Sequence, residues 1–224
     1  IFIDLLLGFS FLTLVFTIFS IAAMTQAINI IDGLHGLSLG TSIIITSTVS
    51  YLAFINEDIT ILLISLIFIS SLAGIFILNF PSGKLFIGDG GAYLVGNILG
   101  ILVILISQRN LEISPLVCCL IVCYPIYELL RSFFRRLISK DSHSFEPDNK
   151  HLHSFVYTRL SKICSNKIAN PSTTIIILLL PTFTCFWAIF FYANNKLLLC
   201  GIFLTIFLYE IIINFTYASD RKIN

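Results

Sequence analysis

Two short segments each place an acidic residue among glycines, a pattern typical of sites that bind phosphate groups or metal ions. The first, Asn29–Leu37 (NIIDGLHGL), contains Asp32, and the second, Phe86–Gly91 (FIGDGG), contains Asp89. Glycine lets the backbone approach a ligand closely, and a carboxylate is a preferred ligand of Mg²⁺. The simpler interpretation of both segments is a glycine turn whose acid caps a neighbouring helix.

A third polar segment, Asp148–His153 (DNKHLH), contains His151 and His153 close to Lys150. A zinc site would need further ligands at regular spacing, and the neighbouring sequence offers none. The segment therefore fits binding of phosphate oxygens better than binding of zinc. The simpler alternative is a pair of solvated loop histidines.

One acidic residue, Glu128, lies inside an apolar run, three residues before Arg131. This spacing places both side chains on one face of a helix. It predicts a structural ion pair between them, with contact to a polar substrate headgroup as the alternative.

The composition indicates a membrane protein. Of the 224 residues, 57% are hydrophobic and only 11% are charged, whereas soluble domains have about 25% charged residues. The net charge of +1 argues against a nucleic-acid partner. The six cysteines form no CxxC pattern and are interpreted as reduced, structural residues.

The apolar runs predict an all-α, polytopic transmembrane bundle of about seven spans, since a spanning helix needs roughly 20 apolar residues. The predicted spans are 2–25, 38–55, 61–79, 92–107, 113–131, 173–193 and 197–217. The chain opens at Ile1 inside an apolar run, without a starting methionine. We therefore expect residues 1–224 to be one transmembrane domain, the C-terminal two thirds of a longer protein whose N-terminal portion is missing.

The connections between these spans differ sharply in length and content. Loops 56–60, 108–112 and 194–196 are short, whereas loops 28–37, 80–91 and 132–172 contain the three polar segments. The side with the long loops holds eleven of the thirteen Lys and Arg residues: Lys84, Arg131, Arg135, Arg136, Lys140, Lys150, Arg159, Lys162, Lys167, Arg221 and Lys222. By the positive-inside rule, that side is cytoplasmic. Together the three segments suit a Mg²⁺–diphosphate site and phosphoryl transfer, which needs mainly positioning and charge neutralisation.

The chain resembles the polyprenyl-phosphate N-acetylhexosamine-1-phosphate transferases and the related phospho-N-acetylmuramoyl-pentapeptide transferases. The resemblance rests on the order of four motifs: Asn29–Leu37, Asn79–Pro81 with Phe86–Asp89, Pro125–Glu128 and Pro147–His153. It implies catalytic roles for Asp32 and Asp89, a metal site for Mg²⁺ (or Mn²⁺) at Asp89 and Asn29, and substrate binding by Phe86 (on uracil), His151, His153 and Lys150.

The resemblance also implies the reaction. The phosphate oxygen of a polyprenyl phosphate, undecaprenyl phosphate in bacteria, would attack the sugar-side phosphate of a UDP-sugar and release UMP at the cytoplasmic face of the inner membrane. UDP-GlcNAc is the expected donor, and initiation of O-antigen or capsule is the expected role. A homodimer is left open. Three departures stand out: an upstream Asp-rich segment is absent, and His35 and Ser154 replace residues that are often Asp and His in the family.

Two other classes of protein remain as alternatives. A transporter subunit would also be polytopic, but transport sites lie near the bilayer midplane on broken helices, whereas these motifs lie in loops. A non-catalytic remnant of the family is the second alternative, because the upstream acids are absent.

Overall fold

The computed structural model describes residues 10–138 and 151–220, and the side chains of residues 11–138 and 151–216. Across these residues the fold is all-α, as predicted. The helices are α1 (Ser10–Ile31), α2 (Leu37–Ile55), α3 (Ile59–Asn79), α4 (Gly88–Arg109), α5 (Pro115–Ile121), α6 (Cys123–Ile138), α7 (Leu152–Ser161), α8 (Asn166–Phe191) and α9 (Asn195–Asp220).

The described helices confirm a polytopic bundle with the predicted number of spans. Six of them, α1 to α4, α8 and α9, are long and apolar enough to cross a membrane. The helices α5 and α6 together make a seventh candidate, but they meet at a bend of 70°. The predicted fifth span, 113–131, is therefore a broken helix.

Two helices extend further into the predicted loops than the hydropathy pattern indicates. Helix α1 ends at Ile31 rather than near residue 25, and α4 begins at Gly88 rather than near residue 92. Ile28 and Ile31 are fully buried, so packing of the last turn of α1 continues past the polar residues beside them. Three glycines, Gly88, Gly90 and Gly91, lie in the first turn of α4, where the cost of glycine in a helix interior does not apply in full.

The long polar loop 132–172 is partly helical. Helix α6 continues to Ile138, as expected for a helix that extends beyond the membrane, and α8 begins at Asn166. The short helix α7 lies between them. The part of this loop that contains Lys150 lies outside the described residues.

Helix α2 forms the centre of the bundle. The buried share of its span, 67%, is larger than that of any other candidate span in the described residues. Helices α3, α4 and α8 pack around it. Two of its buried hydroxyls are satisfied within the helix, since Ser42 donates to the carbonyl of Ser38 and Thr46 to that of Ser42, at 2.8 and 2.7 Å. The buried hydroxyl of Thr41 has no hydrogen-bond partner among the described residues.

Helices α1 and α4 run antiparallel in close contact through two glycines. A Cβ atom added to Gly96 would lie 2.7 Å from the Cα of Thr25, and one added to Gly100 would lie 3.5 Å from the Cα of Ile21. The spacing of Gly96 and Gly100 therefore serves helix packing, as small residues do in membrane bundles. Because the two helices run in opposite directions, the end of α1 and the start of α4 lie at the same end of the bundle.

An ion pair joins two short loops at the opposite end. Asp58, which caps α3 by accepting from the backbone N–H of Ile61, also accepts from Arg109 Nε at 2.7 Å. The Asp58 side chain is only 6% exposed. The Arg109 guanidinium holds the pKa of Asp58 below its usual value, so the carboxylate is ionised at neutral pH.

We expect Arg109→Gln to lower the thermal midpoint of the detergent-solubilised protein by a few degrees, because it leaves a buried carboxylate without its cation. The folded-state pKa of Asp58 is depressed, so the pair stabilises the fold above pH 3.8 and loses this contribution as the pH falls. The difference in midpoint between wild type and variant should narrow as the pH falls below 3.8. A difference that does not change with pH would argue against the ion pair as its cause.

Candidate active site

The antiparallel packing of α1 and α4 brings the two acidic motifs together. Thr25 of α1 and Gly96 of α4 are in contact. Asp32 lies seven residues after Thr25, and Asp89 lies seven residues before Gly96. At 1.5 Å per residue, both are displaced by about 10 Å toward the same end of the bundle. Asn29 lies on α1 about one helical turn before Asp32, so the predicted metal and catalytic residues share one end.

Asp32 lies just past the end of α1 and is partly buried. Burial is the main cause that raises its pKa to about 6, and the negative charge of Asp89 raises it further. The hydroxyl of Ser38, in the first turn of α2, donates to Oδ1 of Asp32 and opposes this shift. The contribution of Asp89 is the smallest of these three, and it indicates that the Asp89 carboxylate lies close enough to act on Asp32.

The second motif loop is fastened to the first by Asn79, the last residue of α3. Its side-chain oxygen accepts from the backbone N–H of Gly36, and its amide group donates to the carbonyl of Leu85 at 2.5 Å. His35 adds a second link, with Nδ1 3.0 Å from the carbonyl oxygen of Pro81. The loop 80–87 is thus held against the loop 32–36 by Asn79, which lies outside the acidic motifs, and by His35, which belongs to the first of them.

Phe86 and His35 lie side by side at the edge of this assembly. The Phe86 ring is 63% exposed, and its centroid lies 5.5 Å from the His35 ring in an edge contact. The exposed ring can therefore offer a face to an aromatic ligand such as a base. His35, the departure noted in the first motif, organises the loop: a Cβ on Gly83 would lie 2.5 Å from its Nε2.

The two motif histidines lie at the start of α7 and stack against each other. His151 and His153 are 8% and 5% exposed, and their rings are parallel within 4° at a centroid distance of 5.4 Å. The simpler alternative of solvated loop histidines therefore does not hold. His153 reaches the first motif, because a Cβ on Gly33 would lie 2.5 Å from its Nε2. Burial lowers the pKa of His153 to about 4, so its ring is neutral at pH 7.

The predicted ion pair between Glu128 and Arg131 is also wrong. Glu128 is 1% exposed and accepts from Nδ1 of His151 at 2.9 Å. Arg131 instead donates to Glu210 of α9 at 3.0 Å. Glu128 and Arg131 do lie about one turn apart on α6, as their spacing predicts. However, α7 and α9 pack against α6 and supply closer partners for both residues.

A pocket with a volume of about 610 Å³ opens beside the histidines. It lies between the end of α1, helix α7 and the start of α8. Its lining combines apolar residues with side chains that can form hydrogen bonds: Ile30, Gly33, Leu34, His151, His153, Ser154, Tyr157, Thr158 and Asn170. Ser154, the third departure from the family pattern, is thus part of the pocket wall. The volume is in the range of small-molecule sites.

Several residues that organise the site carried no predicted role. Asn79 belonged to a family motif but had no role assigned, and Ser38 was not singled out. Two residues of α8 were also missed: Asn170 Oδ1 accepts from the backbone N–H of His35 at 3.1 Å, and Thr174 donates to the His35 carbonyl at 2.8 Å. The sequence does contain a signal for the roles of Asn79 and Asn170, because an amide side chain at the end of an apolar span needs hydrogen-bond partners.

We expect Ser38→Ala to raise the pKa of Asp32 above about 6, because it removes a hydrogen bond that favours the ionised carboxylate. If turnover needs ionised Asp32, the acid limb of the pH profile should move to higher pH by roughly one unit, the scale of one hydrogen bond to a charged group. Rates well above that limb should change little. Ser70→Ala, which removes an exposed hydroxyl bonded within α3, is the control. Superimposable profiles for Ser38→Ala and wild type would contradict the role of Asp32.

A Mg²⁺ site at Asp89 and Asn29 stays a prediction. Among residues 10–138 and 151–220, no group of three or more His, Cys, Asp or Glu side chains could hold a metal ion. Mg²⁺ is commonly held by one or two carboxylates together with substrate phosphates. Asp89 and Asp32 supply such carboxylates. Asp89 is exposed in the first turn of α4, where backbone N–H groups favour phosphate oxygens.

Comparisons with known proteins agree with this geometry. Residues 1–107 match the model of glycosyl transferase family 4, a match that includes both acidic motifs. These residues, and the relatives below, confirm the family resemblance that the motifs predicted, and the bundle is that of a multi-pass membrane protein.

Within this class, the chain is similar to three named relatives. It is 35% identical over 138 residues to the probable undecaprenyl-phosphate N-acetylglucosaminyl 1-phosphate transferase of Bacillus subtilis, covering 61% of the chain and 38% of the relative. It is 31% identical over 148 residues to the undecaprenyl-phosphate alpha-N-acetylglucosaminyl 1-phosphate transferase of Thermotoga maritima, covering 66% and 44%. It is 37% identical over 87 residues to the phospho-N-acetylmuramoyl-pentapeptide-transferase of Lactobacillus johnsonii, covering 39% and 27%. The chain thus spans less than half the length of the curated relatives it matches.

Proposed function

We propose that this chain forms the catalytic part of a polyprenyl-phosphate sugar-1-phosphate transferase. The main support is that three separate loops meet at one end of a membrane bundle. They bring together the carboxylates Asp32 and Asp89 and the buried pair His151 and His153. A diphosphate substrate needs charge neutralisation and positioning. In this proposal a divalent metal ion held by the carboxylates would neutralise charge, and the histidines would position the phosphates.

The reaction we propose is a single phosphoryl transfer. A phosphate oxygen of the lipid attacks the sugar-side phosphorus of the UDP-sugar, the bond from that phosphorus to the bridging oxygen breaks, and UMP leaves with that oxygen. The lipid then carries a diphosphate-linked sugar. Asp32 with a pKa of about 6 is mostly ionised at pH 7 and can accept a proton from a monoanionic lipid phosphate.

The other site residues bind and orient the donor. The exposed face of Phe86 stacks on the uracil, and the histidine pair contacts the diphosphate. Lys150, which lies outside the described residues, is proposed from the sequence alone to contribute a positive charge to donor binding. Asp89 and Asn29 would hold Mg²⁺, or Mn²⁺ in its place, which when bound neutralises charge on the donor phosphates.

The charge distribution supports an orientation with the site in the cytoplasm, where nucleotide donors occur. The three loops of the site share one end, and eleven of the thirteen Lys and Arg residues belong to that side of the predicted topology. We place the chain in the bacterial inner membrane on this basis.

The relatives support a particular donor and acceptor. Two of the three are named as undecaprenyl-phosphate N-acetylglucosaminyl 1-phosphate transferases. We therefore propose UDP-GlcNAc and undecaprenyl phosphate as the substrates. Initiation of a surface polysaccharide, such as O-antigen or capsule, is the role that follows.

The test is release of UMP by the full-length gene product in detergent, with UDP-GlcNAc, undecaprenyl phosphate and Mg²⁺. We expect release that requires both the lipid and the metal. Release that occurs without lipid would indicate hydrolysis of the donor instead. Absence of release with any UDP-amino-sugar, from protein that unfolds cooperatively, would refute the proposal, and substrate flux without UMP release would favour a transporter.

A further inference from the structure

Helices α6 and α9 are joined by two reciprocal hydrogen bonds between tyrosine and glutamate. Tyr209 of α9 donates to Oε2 of Glu128 of α6 at 2.6 Å, and Tyr127 of α6 donates to Oε1 of Glu210 of α9 at 2.9 Å. The two tyrosine rings meet edge to face at 4.9 Å. The two pairs are alike in chemistry and lie side by side, but their surroundings differ.

Only the pair of Tyr209 and Glu128 continues toward the active site. The Glu128 carboxylate accepts from Nδ1 of His151 at 2.9 Å and from the backbone N–H of Leu152 at 3.3 Å. It therefore holds both the first histidine and the start of α7. All of these partners act as donors, which matches an ionised carboxylate and requires the proton of His151 on Nδ1. The second nitrogen, Nε2, is then left for a ligand.

The other pair ends in a cation instead. Glu210 accepts from Arg131 Nε at 3.0 Å, and its side chain is 36% exposed. This pair therefore binds the same two helices together without reaching the histidines. It supplies an internal comparison for the effect of helix packing alone.

We infer that Tyr209 and Glu128 are positioning residues that fix the orientation of His151, and through its parallel stack with His153, the histidine pair at the donor diphosphate. The path from the last helix to the first motif is continuous: Tyr209, Glu128, His151, His153 and Gly33 are in successive contact. A side chain on α9 thereby sets the geometry at a loop more than 170 positions earlier in the chain. The inference rests on the proposed function for its kinetic consequence, but the orientation of His151 does not depend on it.

The test compares Tyr209→Phe with Tyr127→Phe in the full-length protein. Each variant removes one hydroxyl that donates to a glutamate between the same helices. We expect Tyr209→Phe to lower kcat/KM for UDP-GlcNAc about tenfold, the scale of one hydrogen bond to a charged group, and Tyr127→Phe to change it less than about twofold. KM for undecaprenyl phosphate should be unchanged in both. Equal losses in the two variants would overturn the inference, since helix packing would explain them.

A second measurement reads the histidine directly and needs no turnover. This chain has four histidines, so each ¹⁵N signal of the labelled protein can be assigned by its substitution. We expect wild type and Tyr127→Phe to show His151 with its proton on Nδ1, and Tyr209→Phe and Glu128→Gln to show a mixture of tautomers. An unchanged His151 signal in both of the latter variants would overturn the inference. An inactive wild type with the expected tautomers would refute the proposed function and leave the positioning intact.

Discussion

Replacing Asp89 with Asn is expected to reduce Mg²⁺-dependent release of UMP by about 100- to 1,000-fold, the scale of losing one group that stabilises charge in a transition state. The carboxylate is exposed in the first turn of α4 and is coupled to Asp32. Its removal should take away a metal ligand while the fold is kept, because no described contact depends on its charge for packing. The measurement is initial rate against Mg²⁺ concentration at saturating donor and lipid.

The control for Asp89→Asn is Glu112→Gln, which removes one exposed negative charge near the opposite end of the bundle. It should retain wild-type rates and metal dependence. Near-normal activity of Asp89→Asn across the metal titration would refute the assignment of Asp89 as a metal ligand. A loss of activity that higher Mg²⁺ partly restores would support it.

Gly33→Ala is expected to reduce kcat/KM for the UDP-sugar by about 100-fold, the cost that a displacement of about 1 Å can have at an active site. A Cβ at this position would lie 2.5 Å from Nε2 of His153, so the buried imidazole must move. Its stack with His151 leaves it little room to do so without disturbing that ring. The measurement is the donor dependence of UMP release at saturating lipid.

Two further variants separate this steric effect from a general effect of alanine. Gly74→Ala introduces the same methyl group on α3 where nothing lies within 4 Å, so it should behave as wild type. The double variant Gly33→Ala with His153→Ala should be no slower than His153→Ala alone, because the clash has been removed. Additive losses in the double variant would show that Gly33 acts by another route.

Much of the fold could be predicted because hydropathy alone determines which segments cross a membrane. The spans predicted to end near Asn79 and Ile55 match the ends of α3 and α2, and the loops that follow them lie at opposite ends of the bundle. The same reasoning placed Asp32, Asp89 and the histidines at one end before any contact was known. Helix ends were less predictable, since the buried Ile28 and Ile31 extend α1 through tertiary packing that a hydropathy window does not detect.

The partners of individual side chains could not be predicted. Glu128 was assigned to Arg131 because helical spacing compares residues on one helix, whereas its actual partners come from α7 and α9. Likewise, the bond from Asn79 to Gly36 spans 43 positions in the chain. Such contacts depend on how helices rotate and tilt against each other, which one sequence does not reveal.

The clamp formed by Asn79 has a consequence for how the donor is recognised. Because it fixes the loop bearing Phe86 to the loop bearing Asp32, the groups proposed to bind the base and the phosphates are held at a set separation. Under the proposed function, binding the donor between two ordered loops costs less conformational entropy than ordering two free loops would. Replacing Asn79 would therefore be felt at both ends of the nucleotide.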